Sequence, residues 1–288
     1  MKLRLFLFIA VLSGLIACNK NNDTLLPNPG YEPTDHPRRI VEIEPGNDSV
    51  VIEVNFTDKG DISNGNVKYY RDGSIATSGT YLCSYDETGL LKAIVTRVIN
   101  HVTNEKSRND ITCYTSNGLI TGLRSKDSSD GFTYYDKFAY NNNKQLISRL
   151  PSMDSARFFI TPNDYPYKDT FVYENNNLVK YTDLLYEPAV SAYLESYHET
   201  IGNFDDKPNY LPNTMPSFIL FDCERLLSAN NAGSFSFQDD LDAKAITINT
   251  SYDDNGRPVN FAYTNTGSRN NFAYGLFLGE LKELRIYY

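Results

Sequence analysis

The residues able to do chemistry are few, and their spacing is uninformative. The histidines are His36, His101 and His198. His198 precedes Glu199, but no second histidine completes a His-Glu-x-x-His zinc helix. The sequence contains no Gly-x-Ser-x-Gly elbow and no phosphate-binding loop. The cysteines Cys18, Cys83, Cys113 and Cys223 are too far apart for a local metal knuckle. Carboxylates pair more often, as Asp205-Asp206, Asp239-Asp240 with Asp242, Asp253-Asp254, and Asp127 with Asp130. Two carboxylates across a cleft hydrolyse glycosides, and clustered oxygens hold calcium. All four groups fall in polar, turn-like stretches without the Asp-x-Asp-x-Asp-Gly spacing, so turn chemistry explains them best. The sequence therefore assigns no catalytic residue, no metal ligand and no cofactor. It favours a non-enzymatic binding or structural module, with a glycan- or peptide-acting hydrolase using a carboxylate pair as the alternative.

Aromatic rings are the larger resource: 22 Tyr and 16 Phe, with no Trp, a supply that suits stacking against sugars or a protein partner. Many tyrosines belong to a recurring phrase, in which a strand ends in Tyr, a short polar tip follows, and a second apolar strand begins. The copies start at Tyr85, Tyr114, Tyr140, Tyr173 and Tyr252, with a looser one at Tyr70. In four of the five copies Gly or Asn stands four residues after the tyrosine, where a turn needs φ > 0; Lys144 holds that place in the Tyr140 copy. A type I turn closed by such a residue makes a bulged hairpin. The tyrosines outside the repeat, Tyr165, Tyr167, Tyr186, Tyr193 and Tyr210, are the candidates for a binding surface. Aligned on the repeat tyrosine, Cys83 and Cys113 differ by one position, which predicts opposite faces of the sheet and no bond between them.

Repeated hairpins imply an all-β fold: an antiparallel meander long enough to curl into a large barrel-like or strongly bent sheet. One short helix is expected, with Thr214 as cap, Pro216 in the first turn and a body from Phe218 to Leu227. Residues 189–197 fit either a second helix or a strand. A true membrane-spanning barrel needs strands of about 9–11 residues. The repeat strands read as shorter, and Lys92, Arg149 and Lys180 fall just behind the turns, which favours a barrel in water.

The ends give an address. Lys2 and Arg4 precede an apolar run from Leu5 to Ile16, as in an export signal. The run closes on Leu15-Ile16-Ala17-Cys18, which resembles a bacterial lipobox. That resemblance implies cleavage before Cys18 and lipidation of it, with the membrane as partner through the lipid. Asn19, by the sorting rule of such lipoproteins, points to the outer membrane. Residues 19–38 are polar and Pro-rich and read as a tether, leaving 39–288 as one β domain. The formal net charge of −9 disfavours nucleic acid as a partner and leaves a glycan or an envelope protein.

The Tyr-Asp-x-x-Gly-x-Leu phrase is similar to the YD repeats of Rhs-type proteins. Together the lipobox, the hairpins, Asn203-Phe204-Asp205-Asp206-Lys207-Pro208-Asn209 and Leu227-Ser228-Ala229-Asn230-Asn231 resemble a Bacteroidetes lipoprotein family of unknown function. This resemblance spans roughly residues 40–288 and implies a porin-like β fold and an envelope location. It implies no catalytic residue.

Overall fold

The computed structural model describes residues 36–44, 46, 48–128, 131–152, 167–211, 214–239, 243–265 and 281–288. Among the described residues sixteen strands follow one another: β1 (Arg39–Ile43), β2 (Ser49–Phe56), β3 (Ile62–Arg71), β4 (Ser74–Tyr85), β5 (Leu91–Asn100), β6 (Lys106–Ser116), β7 (Leu119–Asp127), β8 (Thr133–Tyr140), β9 (Leu146–Ser152), β10 (Tyr167–Glu174), β11 (Asn177–Glu187), β12 (Ala192–Gly202), β13 (Ser234–Asp239), β14 (Ala243–Tyr252), β15 (Pro258–Asn265) and β16 (Glu283–Tyr287). Each pairs antiparallel with the next, and β1 pairs with β16, so the meander closes into a barrel. Closure leaves no free sheet edge, the main aggregation hazard of a long meander. The stretch 189–197 resolves as a turn leading into β12, not a helix.

The period-2 pattern of each strand splits the barrel into two chemistries. Inward residues such as Ile52, Val67, Ile94, Ile111, Phe138, Phe171, Phe261 and Leu284 are buried in one core cluster. The outer face is mixed: Leu82, Ile99, Tyr114 and Val172 are exposed on it, among rows of polar side chains. One outward row crosses β2 to β6 as Glu53, Asn66, Thr80, Arg97 and Arg108. Another crosses β10 to β13 as Thr170, Thr182, His198 and Gln238. Strand length does not decide between water and membrane, contrary to the sequence expectation, because β4 has 12 residues and β6 has 11. These two rows carry hydroxyls and charges, whereas a lipid-facing band is apolar.

Alternating strand direction puts every tip that follows an even-numbered strand at one end of the barrel, here called the base. The repeat is a base hairpin. At Tyr85, Tyr140 and Tyr252 the tip is the expected bulged turn, with Gly89, Lys144 and Gly256 at φ of +83°, +61° and +74°. The register shifts just before each of these tyrosines. Asp86, Asn141 and Asp253 open the tips, each accepting two backbone N–H bonds through Oδ1. The tyrosine also has a fixed duty. The hydroxyls of Tyr85 and Tyr140 donate to the carbonyls of Ile62 and Ile120, at 2.6 Å each. Tyr288, just after β16, donates to the Pro258 carbonyl at 3.1 Å. In all three the ring at the end of an even strand ties back to the start of the preceding odd strand.

Several copies differ from the sequence reading. Those at Tyr114 and Tyr173 are two-residue turns with two consecutive positive φ residues, Asn117-Gly118 and Asn175-Asn176. In the first, the register shift falls after Tyr114, so Thr115 takes the place that Tyr85 holds and Tyr114 points outward. Cys83 and Cys113 consequently occupy equivalent inward positions, opposite Ile94 and Leu123, and do not face opposite sides. The copy at Tyr70 belongs to the β3–β4 tip at the other end of the barrel. A further base hairpin follows Phe56, with Thr57 Oγ1 as the tip acceptor and Gly60 at φ +82°. His36 stacks on Phe56 at 4.3 Å, so this residue, read as tether, is buried against the base.

The base tip between β12 and β13 is replaced by residues 203–233, which enter the barrel. Sixteen strands can enclose an aqueous channel; here the insertion occupies that space. Its helix α1 (Met215–Phe221) and 3-10 turn η1 (Glu224–Leu227) bury Phe218, Phe221, Leu226 and Leu227 in the same cluster as the strands. Phe218 packs edge-on against Phe171, and Phe221 against Tyr81, so the plug spans the lumen from β10 to β4. The expected single helix of 218–227 is broken at Asp222, whose φ of 47° is left-handed.

Candidate functional site

Arg149, read from the sequence as a charge just behind a turn, lies inside the barrel with three carboxylates. Arg149 of β9 faces inward opposite Phe138. Its guanidinium lies 3.1 Å from Asp136, 2.6 Å from Asp222 and 4.0 Å from Asp169. The Tyr181 hydroxyl donates to Asp169 at 2.9 Å. Burial opposes the charge of Arg149, but Asp136, Asp222 and Asp169 outweigh it and hold the guanidinium well above the usual arginine pKa. Burial pushes the Asp136 carboxyl up, and Arg149 only partly offsets this. Asp222 belongs to the plug and the other carboxylates to the wall, so the cluster fastens one to the other.

Beside it, Asn109, Ser125, Asp136, Arg149, Phe218 and Asp222 border a hollow of about 50 Å³. A second hollow of about 30 Å³ lies by Tyr210, Arg225, Phe261 and Tyr263. Such volumes hold a few waters, whereas ligand pockets run to about 300–1,000 Å³. Asp136 therefore has the raised pKa of a general acid without a cleft to work in. The expected carboxylate groups are elsewhere: Asp253 caps a tip and pairs with Arg257, and Asp205 accepts from the Tyr252 hydroxyl and from Asn231. Asp127 is buried at the end of β7 and not in a turn. Asp130, Asp240 and Asp242 lie outside the described residues, as does Cys18. Among the described residues no group of His, Cys, Asp and Glu could hold a metal.

The plug has further ties. Buried Arg225 stacks over Phe235 at 4.6 Å. Asn177 and Asn230 exchange bonds between β11 and the plug, and Ser228 accepts the Leu178 N–H. Among the described residues the thiols of Cys83, Cys113 and Cys223 are free and buried. Burial, with Cys113 and Asp61 nearby, pushes Cys83 up to about 12; burial alone takes Cys113 to about 12; burial, with Glu224 and Glu199 adding to it and Arg225 opposing it, takes Cys223 to about 11.

The tyrosines proposed as a binding surface divide. Tyr186 and Tyr193 are directly opposed on β11 and β12, with rings edge to face at 5.3 Å. The Lys168 ammonium sits 5.7 Å from the Tyr193 ring centre, which completes an outward aromatic-cationic patch. Tyr167 lies on the other face of the same strands, at the rim, opposite Leu185 and 44 % exposed. Tyr210 is not a surface residue: it packs inside against Phe261 at 5.4 Å. Tyr165 lies outside the described residues.

No protein-family model matches the chain, and no curated protein matches it. Solved structures do. A porin-like protein from Bacteroides uniformis ATCC 8492 aligns at TM-score 0.53 and 13 % identity, over 87 % of this chain and 96 % of that one. A porin-like protein from Bacteroides vulgatus ATCC 8482 aligns at TM-score 0.40 and 10 % identity, over 88 % and 98 %. The first likeness is one of fold, and it establishes that the closed, porin-like barrel described above recurs in a solved structure.

Proposed function

We propose that the chain is a cell-envelope lipoprotein, held at the outer membrane through Cys18, whose barrel stands in water as a non-enzymatic binding or structural module. One observation carries this reading: the lumen is filled by the chain's own insertion around a largely apolar core, while outward rows such as Glu53-Asn66-Thr80-Arg97-Arg108 and Thr170-Thr182-His198-Gln238 carry hydroxyls and charges. A pore has the opposite arrangement. The lipobox-like Leu15-Ile16-Ala17-Cys18 supplies the anchor, and Tyr186 with Tyr193 supplies the surface for a glycan or envelope protein. The hydrolase alternative loses its footing because the raised-pKa carboxyl Asp136 borders a water-sized hollow. Residues 19–288, produced without the signal, are expected to stay monodisperse without detergent. Incorporation of labelled palmitate into the full chain, and its loss in Cys18→Ser, tests the anchor separately. A domain that aggregates unless detergent is present refutes the water-standing barrel.

A further inference from the structure

We infer that the outer face of β5–β8 is a docking strip for a linear anionic polysaccharide. Among the described residues the outward side chains of these four strands include Arg97, Lys106, Arg108, Arg124, Lys126 and Lys137, against one carboxylate, Asp110. The whole chain carries a formal net charge of −9, so this wall is strongly at odds with its surroundings. Nor does it neutralise itself. Arg97 and Arg108 stand directly opposite each other across β5 and β6, a pairing that repels. Arg108 takes Asp110 through both carboxylate oxygens, at 2.6–2.9 Å, leaving that acid little capacity for the other cations. Arg124 and Lys126 follow on the same face of β7, both exposed.

The shape selects the ligand class. Four strands at about 4.8 Å spacing make an open surface about 15 Å across. An open, cation-studded wall without a cleft suits an extended polymer with anions at intervals, not a small molecule that needs enclosure. Between the cations stand the Thr112 and Thr133 hydroxyls and the Tyr135 ring, with Arg124 directly opposite Thr112 on one side and Tyr135 on the other. These are partners for sugar hydroxyls and a sugar face. The proposal names a ligand for the water-standing barrel and rests on that reading.

The test is a binding titration of the full chain, kept in a non-ionic detergent, with polygalacturonate and with neutral dextran. Binding to polygalacturonate alone is expected, weakening about tenfold or more as salt rises towards 0.15 M. Arg124→Glu with Lys126→Glu should weaken it by a further order of magnitude, roughly, while Lys144→Glu with Lys207→Glu, the same charge change at the base, should move it less than about twofold. Circular dichroism confirms that both double variants fold. The proposal is overturned by no binding at low salt, by equal losses in the two variants, or by equal binding to neutral dextran. Detergent-free solubility of residues 19–288 is measured apart, so a soluble domain that ignores the polymer sinks the strip and leaves the barrel reading standing.

Discussion

Arg149 is the residue on which the interior depends most. It is one cation among three carboxylates, half of a tie between plug and wall, and nearly out of reach of water. Removing one partner of a buried ion pair costs about 3–5 kcal/mol, and Arg149→Ala is expected to fall in that range. The loss should depend on pH. Without the guanidinium, the folded-state pKa of Asp136 rises further above its unfolded value. A raised carboxyl supports the fold while protonated and ceases to as pH climbs through the folded pKa. The drop in melting temperature should therefore be larger at neutral pH than near the unfolded carboxylate pKa, and a pH-independent drop would contradict the cluster's assigned charges. The thiols give a second residue-scale expectation. With Cys83 and Cys113 pushed up to about 12 and Cys223 to about 11, all three should resist a thiol reagent in mildly alkaline buffer until denaturant is added. Arg149 was illegible in the sequence for a definite reason. The register shifts between Ala139 and Tyr140, leaving Ile147 as the extra residue on β9. Alternation counted from inward Leu146 sends Arg149 to the solvent, and the bulge turns it in.

Among the elements, the base hairpin shows how a repeat can be recognised and still misread in places. The phrase revealed the strands, the tips and the meander, because turn chemistry and period-2 patterning are local. It did not reveal that the copy at Tyr114 slips by one residue, since its two-residue turn falls at Asn117-Gly118, one position later after the tyrosine than Asn175-Asn176 does in the Tyr173 copy. It also missed the copy at Phe56, where Phe and Thr57 replace Tyr and Asp. The bond from Tyr140 to Ile120 makes a modest prediction: Tyr140→Phe should cost about 0.5–1.5 kcal/mol in chemical denaturation, with the fold intact. A harsher one concerns β3. Tyr81 lies across Gly65 and donates to the Glu53 carbonyl at 3.0 Å, and a methyl at Gly65 would collide with both the ring and that carbonyl. Gly65→Ala should cost about 1–3 kcal/mol, whereas Gly118→Ala, whose methyl meets nothing, pays only for its φ of +73°. Equal stability of Gly65→Ala and the parent would mean that Tyr81 does not lie there.

At the scale of the molecule, the barrel joins a pore's strand count to a globular protein's interior. The sequence contained the all-β class and a meander long enough to curl, but not whether it closes; that is decided by the pairing of β1 with β16, far apart in the chain. The plug was harder to see. The sequence offers a short helix capped by Thr214 with a body from Phe218 to Leu227, and nothing local says that it enters a lumen; that follows from the apolar inner faces of strands far apart in the chain, such as β4 and β10. The proposed water-standing barrel requires that its outer wall face water. Nitroxide labels at the outward positions Thr80, Thr112 and Thr247, in full chain reconstituted into lipid vesicles, test it most directly. Relaxation at all three should be dominated by a water-soluble nickel chelate. Relaxation dominated by oxygen, as for side chains in hydrocarbon, would place the wall in the bilayer and contradict the account.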